Sequence, residues 1–190
     1  MRGRAVIGVL TGPIGIGKTT LCQRLAELLQ GRGLTPGGIL APAVVDSYSN
    51  KTGIRLRRVD TGEERLLAVA EGDLGGPRTG CYSFAAEVFE WGMSVTRQAL
   101  SGDADVVLVD EIGPLELLRN QGLAPLLEEL VGIETPHVLV VVREGLLTAI
   151  RQRLGRPDLA VFRVDMETRD TLPGRLLEWC LQGSPSPRSG

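Results

Sequence analysis

Cysteine and histidine are scarce in this sequence of 190 residues. The three cysteines, Cys22, Cys81 and Cys180, are odd in number, widely spaced and without a C-x-x-C pair. Neither a disulfide framework nor a zinc site is therefore indicated, and a reducing cytosol fits best. The single histidine, His137, directly precedes an apolar strand. We expect it to lie at the strand edge on the surface rather than to bind a metal or act as a general base.

The chain also lacks a strong charge of one sign and any long apolar run. Its formal net charge is −2, and it contains no nucleic-acid-binding motif, so we expect no nucleic-acid partner. The apolar run from Val6 to Leu10 is far too short to cross a bilayer, and residues 1–4 lack an apolar segment with a cleavage site. These absences predict a soluble, cytoplasmic protein that does not bind membranes.

Apolar residues make up 43% of the sequence, which is enough for one core. We place a single domain at residues 1–182 and expect the Gly-, Ser- and Pro-rich residues 183–190 to form a disordered tail. Continuous apolar strands alternate with helical patterns, which predicts an α/β fold with a mostly parallel central sheet and helices on both faces. Residues 54–69 predict an added β-hairpin that turns at Thr61-Gly62.

The segment GPIGIGKT, from Gly12 to Thr19, matches the phosphate-loop pattern G-x-x-x-x-G-K-[ST]. A predicted strand precedes it and a helical run follows, which is the context of a P-loop NTPase; a plain strand-to-helix turn would not need Lys-Thr. Lys18 is expected to reach the β- and γ-phosphates, the Thr19 hydroxyl to coordinate Mg²⁺, and Thr20 to contact the α-phosphate. The residues predicted to bind nucleotide are Gly12, Pro13, Ile14, Gly15, Ile16, Gly17, Lys18, Thr19 and Thr20.

A second acidic motif follows the predicted strand Asp105 to Val109. Asp110 has the position of a Walker B aspartate, which binds Mg²⁺, usually through water. The next residue, Glu111, is predicted to orient and deprotonate the attacking water. The alternative is an acidic pair that caps the following helix. Glu116, one turn farther on, is expected on the solvated helix surface, although it could bridge to the site.

The apolar strand Val138 to Val142 is predicted to lie between the phosphate-loop strand and the Asp110 strand. Arg143 would then face the γ-phosphate and stabilise charge in the transition state; the alternative is a surface arginine. A helix is predicted from Ser83, as N-cap, to Ser101, with Phe84 and Trp91 on its packing face. Stacking of Trp91 or of the neighbouring Tyr82 on a base is the alternative for these aromatic residues.

From about Ala5 to Cys180 the chain resembles the cancer-related nucleoside triphosphatase family, which is also found in thermophilic archaea and bacteria. The resemblance rests on the 12–20 loop, on GCYSF at 80–84, on VDEIGPLEL at 109–117 and on TRDTLP at 168–173. It implies Mg²⁺-dependent hydrolysis of ATP, GTP and other nucleoside 5′-triphosphates to diphosphate and phosphate, with little discrimination between bases. It also implies a fold similar to that of nucleotide kinases.

The same resemblance implies that Arg169 lies near the base, although Thr168 stands where the family usually has Asn. Family members often carry an acidic, arginine-bearing stretch at the position of residues 38–45, which here are GILAPAVV. Three arginines of the predicted hairpin either compensate for the missing charged stretch or simply lie on a solvent-facing strand: Arg55, Arg57 and Arg58.

Two other functions remain open at this stage. A nucleotide or small-molecule kinase would pass the γ-phosphate to a bound acceptor, but the sequence shows no clear arginine-rich lid. A nucleotide-gated adaptor in cofactor assembly would use the triphosphate to switch its grip on a partner. We expect a monomer.

Overall fold

Strands and helices alternate as the apolar patterns predict, except that six strands follow one another between the first and second helices. The computed structural model describes residues 6–156 and 159–182. The strands are β1 (Ile7–Gly12), β2 (Pro36–Leu40), β3 (Ala43–Val45), β4 (Lys51–Arg58), β5 (Glu64–Val69), β6 (Arg78–Thr79), β7 (Tyr82–Phe84), β8 (Val106–Ile112), β9 (His137–Arg143) and β10 (Ala160–Arg163). The helices are α1 (Lys18–Gln30), α2 (Ala86–Ser101), α3 (Pro114–Arg119), α4 (Ala124–Leu130), α5 (Leu147–Leu154) and α6 (Leu172–Leu181).

Five strands form the parallel half of the sheet, in the order β10, β1, β9, β8, β2. All residues of β1 and β2 are buried, and so are nearly all of β8 and β9, as expected for strands covered on both faces. The strand β9 lies between β1 and β8, which confirms the predicted order. The carboxyl ends of β1, β9 and β8 therefore meet at one edge of the sheet.

The other half of the sheet is antiparallel and continues from β2 through β4, β5, β7 and β6, while β3 pairs with the far end of β4. The predicted hairpin is the β4–β5 pair. Pro42 lies between two strands, because β2 ends at Leu40 and β3 begins at Ala43. The fold is thus mixed α/β with a parallel half and an added antiparallel extension.

Helices cover both faces of the parallel strands, as predicted. On one face, α1 and α6 pack leucine side chains such as Leu25 and Leu176 against the sheet. On the other face, α2, α4 and α5 contribute the buried side chains Val95, Leu127 and Ile150. Alternate residues of each strand point to opposite faces, so each buried strand supplies both cores.

Close packing of β2 against β8 requires a glycine at Gly38. Its φ is +94°, and a Cβ atom at this position would lie 2.1 Å from the carbonyl oxygen of Leu108. A side chain would therefore be strained both in backbone conformation and in space.

The predicted start of α2 is wrong, because Ser83 lies in β7 and the N-cap position is Ala85. The Ser83 hydroxyl accepts the N–H of Leu74 at 2.9 Å and donates to Asp73 at 3.0 Å. The backbone at residues 83–84 pairs with β5, so strand pairing replaces the predicted cap. Phe84 is buried and Trp91 is half-buried against the same core, which confirms that both rings pack.

The surface position predicted for His137 is wrong. Its side chain is 7% exposed, and its ring makes an edge contact with Trp179, with 4.9 Å between centroids. The reason is that His137 begins a central strand, and α6 covers that end of the sheet.

The last helix, α6, has Thr171 at the N-cap position and Pro173 in its first turn. The predicted tail, residues 183–190, lies outside the described residues, as do residues 1–5, so the domain boundaries 1–182 stay a prediction. Within residues 6–156 and 159–182, no helix combines the length and apolar character needed to span a membrane.

Candidate active site

The loop between β1 and α1 is curled by two glycines in the left-handed region. The φ of Gly15 is +78° and that of Gly17 is +99°, a conformation that glycine adopts without steric cost. Gly17 occupies the N-cap position of α1, and no side chain caps it. The first N–H groups of α1 therefore point toward the loop without a capping side chain, and the positive end of the helix dipole favours an anion there.

The side chain of Lys18 folds back over this loop. It is 7% exposed, and its Nζ donates to the carbonyl oxygens of Gly12 at 2.8 Å and Pro13 at 2.9 Å. The ammonium group is thus held beside the loop, where an anion bound by the backbone N–H groups would meet it.

Asp110 lies on β8 with its carboxylate against the start of α1. The side chain is 1% exposed and accepts hydrogen bonds from the Thr19 hydroxyl and, at 3.2 Å, from the Ala41 N–H. Burial raises the pKa of Asp110 to about 6, more than these hydrogen bonds and Lys18 lower it. The site therefore holds a carboxylate whose ionised form needs a cation.

Glu111 and Arg143 form an ion pair beside Asp110. The distance from Arg143 Nη2 to Glu111 Oε1 is 3.0 Å. Arg143 ends β9, and its Cα pairs in register with Gly12 at the end of β1, so the sheet places the arginine next to the phosphate loop. The Nε atom of Arg143 is buried and has no hydrogen-bond partner among the described residues.

These elements surround one open cavity of about 480 Å³, a size that suits a small-molecule ligand. One wall is the phosphate loop and the first turns of α1. The floor consists of Asp110, Glu111 and Arg143. The opposite wall comes from the segment after β2 and from the β3–β4 hairpin: Ala41, Pro42, Ala43, Lys51 and Ile54.

Comparison with known proteins gives the family. A family model described as NTPase matches residues 8–177. The nucleoside-triphosphatase THEP1 of Methanopyrus kandleri is 35% identical over 177 residues, which cover 92% of this chain and 94% of that protein. The nucleoside-triphosphatase THEP1 of Thermofilum pendens is 37% identical over 169 residues, which cover 88% and 91%. The chain belongs to the THEP1 family of nucleoside-triphosphatases.

Solved structures agree with this assignment. THEP1 from Aquifex aeolicus superposes with a TM-score of 0.70 at 20% identity and covers 90% of this chain and 97% of its own. The human cancer-related nucleoside triphosphatase gives a TM-score of 0.69 at 28% identity, with 96% and 100% covered. The predictions of the family, of the P-loop NTPase fold and of an enzyme of the nucleoside-triphosphatase class are confirmed.

Within this THEP1-family fold, the structure brings most of the predicted site residues to the cavity. The loop residues Gly12, Pro13 and Ile16 are not among its lining residues, and Arg169 lies away from the loop altogether. It is exposed on the segment between β10 and α6, contacts the sulfur of Met166 and lies 3.8 Å from the carboxylate of Asp170. It does not line the cavity beside the phosphate loop. Its contact with the base therefore stays a prediction.

The hairpin arginines do not compensate for the missing charged stretch. Arg55 and Arg57 both pair with Glu64, and Arg58 pairs with Asp60. None of the three lines the cavity.

Two polar residues that sequence reasoning missed line the cavity, Gln23 and Lys51, in addition to the apolar wall residues given above. Gln23 follows Thr19 by four residues and Thr20 by three, a helical spacing that would have indicated the same face of α1. Lys51 carries no comparable signal, because it reaches the cavity only through the pairing of β4 with β3.

The solvated surface position predicted for Glu116 is wrong. Its side chain is 5% exposed and accepts the N–H groups of Gly113 at 2.9 Å and Leu123 at 3.3 Å. Burial raises the pKa of Glu116 to about 7. The Glu116 side chain turns back toward the N-terminus of the short helix α3. Its carboxylate there meets the N-cap residue Gly113, which follows Glu111 by two residues. Glu116 therefore connects the Glu111 segment to the start of α4.

The donor set in this THEP1-family site fits a divalent cation. Thr19 and Asp110 present hard oxygen atoms at the cavity beside the phosphate loop, the ligand type that hard divalent cations prefer. The described part of the chain has no cluster of three or more His, Cys, Asp or Glu side chains that could hold a metal by themselves.

Proposed function

We propose that the chain hydrolyses nucleoside 5′-triphosphates to nucleoside diphosphate and phosphate, with Mg²⁺ as cofactor and little discrimination between bases. One observation carries the proposal. The loop with Lys18, the Asp110 carboxylate and the Glu111–Arg143 pair all face a single cavity. The names of the nucleoside-triphosphatase relatives support the same reaction.

The phosphate loop supplies binding. The N–H groups at the start of α1, which no side chain caps, donate hydrogen bonds to phosphate oxygens. The Lys18 ammonium leaves the carbonyl oxygens of Gly12 and Pro13 and donates to oxygens of the β- and γ-phosphates instead. Thr20 is exposed in the cavity, where it contacts the α-phosphate. Thr19 and Asp110 are the residues that hold Mg²⁺, which neutralises the charge of the β- and γ-phosphate oxygens when bound.

Glu111 acts on water. Its carboxylate accepts a proton from the water molecule whose oxygen attacks the γ-phosphorus, and the bond from that phosphorus to the bridging oxygen of the diphosphate breaks. The Arg143 guanidinium fixes the Glu111 carboxylate at 3.0 Å. Because the Arg143 side chain lines the cavity and stays 41% exposed, its guanidinium retains N–H donors for a phosphate oxygen. Both residues are therefore proposed as catalytic, together with Lys18.

Weak base selection follows from the chemistry of the cavity wall. Neither Tyr82 nor Trp91 lines the cavity. The Tyr82 ring faces Lys51, and the Trp91 ring is covered by Arg65, whose guanidinium carbon lies 4.5 Å from the ring centroid. The stacking of a base on either ring is thus not supported, and Arg169 remains the proposed neighbour of the base. We also propose that the protein is a cytoplasmic monomer and that it binds neither nucleic acids nor membranes.

The test is release of inorganic phosphate from ATP, GTP, CTP and UTP without any added acceptor, with Mg²⁺ and with a chelator. We expect all four to be hydrolysed at comparable rates, since the proposed contacts are with the polyphosphate that the four substrates share, and we expect chelation to stop the reaction. Diphosphate formation that depended on an added acceptor, with the γ-phosphate transferred to that acceptor instead of released, would indicate a kinase. Release that depended on a protein partner would indicate the adaptor.

A further inference from the structure

Three cationic side chains line the cavity, and two of them already have hydrogen-bond partners in the protein. Lys18 donates to two loop carbonyls, and Arg143 pairs with Glu111. Lys51 is exposed, and no carboxylate among the described residues forms a salt bridge with it. Its charge is therefore available to a ligand in the cavity.

Lys51 faces the phosphate loop from the opposite wall. It begins β4, and its Cα pairs with Val45 of β3. The turn that joins these strands is fixed by Asp46, whose carboxylate accepts the N–H of Tyr48 at 2.8 Å and the N–H and side-chain amide of Asn50 at 2.9 and 3.0 Å. The backbone that carries Lys51 is thus held by local hydrogen bonds as well as by strand pairing.

An aromatic ring supports the ammonium group. The Lys51 Nζ lies 5.4 Å from the centroid of the Tyr82 ring, within the range of a cation–π contact. Tyr82 lies on β7, two strands away from β4 in the sheet. This contact limits the rotation of a long side chain that would otherwise extend into solvent.

The charges of the lining residues also favour an anion at Lys51. The cavity has three cationic side chains and two acidic ones, Asp110 and Glu111. Without Lys51 the two signs would balance. A triphosphate carries several negative charges, and the loop N–H groups and Lys18 meet its oxygens from one side only, which leaves oxygens that face the other wall.

We propose that Lys51 is a substrate-binding residue that contacts the polyphosphate from the wall opposite the phosphate loop, with Tyr82 as its positioning residue. This inference rests on the proposed function. Its ligand class is the polyphosphate and not the base or the sugar, because Lys51 offers only a point charge with three donors.

Titration with inorganic tripolyphosphate and with ATP, each with Mg²⁺, tests the proposal. We expect Lys51→Ala to weaken both ligands by about 5- to 20-fold, the range of a charge-assisted hydrogen bond in a partly open site, and Lys51→Arg to restore most of the affinity. Tyr82→Phe keeps the ring and is expected to bind like the wild type, whereas Tyr82→Leu weakens both ligands. Arg55→Ala is the matched control, because Arg55 is on the same strand but pairs with Glu64 away from the cavity.

Other results would overturn the inference. If Lys51→Ala bound tripolyphosphate like the wild type and the control, Lys51 would not contact phosphate; a loss confined to ATP would place the lysine at the base or sugar. If the wild type bound no tripolyphosphate and no ATP, both the proposed function and this inference would fail. Wild-type binding that Lys18→Ala abolishes and Lys51→Ala leaves intact would refute only the inference.

Discussion

Removing the buried charge at Asp110 is expected to stabilise the protein while it removes the cation site. Asp110 is 1% exposed, and without a cation burial raises its pKa from 3.8 to about 6. Between pH 3.8 and about pH 6, Asp110 is therefore protonated in the folded state but already ionised in the unfolded state. Wild-type stability falls as the pH rises through this window, and Asp110→Asn has no such loss.

The size of the effect follows from the pKa difference. A difference of about two units corresponds to roughly 3 kcal/mol at pH 8, at 1.36 kcal/mol per unit. An amide oxygen is a weaker acceptor than a carboxylate for the hydrogen bonds from Thr19 and Ala41, which we set at a loss of about 1 kcal/mol. In a chelator, we expect Asp110→Asn to raise the free energy of unfolding by about 1–2 kcal/mol at pH 8.

Urea unfolding at pH 5 and pH 8, in a chelator, measures this difference. The advantage of the variant is expected to shrink by about 1 kcal/mol at pH 5, where much of wild-type Asp110 is protonated. Adding Mg²⁺ and a non-hydrolysable triphosphate should then stabilise the wild type more than the variant, because a ligand stabilises the state that binds it. A stability difference that is negative, or equal at both pH values, would refute the reasoning about the buried carboxylate.

Three further predictions concern the loop, a buried carboxylate and the packing of the sheet. Lys18→Ala is expected to lower triphosphate affinity at least tenfold in a titration, since it removes a charge-assisted contact; unchanged affinity would contradict the binding role. The pKa of Glu116 is raised to about 7, so the stability of the wild type falls as the pH rises from about 4.5 to 7. In urea unfolding, Glu116→Gln should make the free energy of unfolding depend less on pH over this range. An unchanged pH dependence in the variant would speak against the raised pKa. Gly38→Ala should lower the free energy of unfolding by at least about 2 kcal/mol, because of the positive φ of this residue and the contact of the added Cβ with Leu108. The control Gly174→Ala should not destabilise the protein, because no atom lies near the added Cβ. Equal stabilities of the two variants would contradict the packing argument.

The parts of the fold and site that the sequence predicts are contiguous in the chain. The phosphate loop places its glycines, Lys18 and Thr19 within eight residues, so backbone conformation alone brings them together. The continuous apolar strands predict the parallel sheet because both of their faces are buried. Once that sheet is assumed, the meeting of Asp110, Glu111 and Arg143 with the loop follows from strand order.

The positions that sequence reasoning got wrong depend on distant partners. Glu116 is buried because its carboxylate accepts the Leu123 N–H and packs under leucines of neighbouring elements. His137 is buried because Trp179, from the last helix, covers it. Lys51 reaches the cavity through the β3–β4 pairing, whose bulge the sequence pattern does not show. Burial of a single polar residue depends on which element packs over it, and local periodicity carries no such information.

Glu111→Gln tests the central claim most directly, with Glu144→Gln as control because Glu144 is exposed and next to Arg143 but does not line the cavity. Triphosphate affinity and phosphate release are measured together, with Mg²⁺, for both variants and the wild type. We predict unchanged affinity and at least about 100-fold slower release for Glu111→Gln, the loss expected for a positioned base, with the control unaffected. Wild-type turnover in Glu111→Gln would show that this carboxylate does not act on the attacking water.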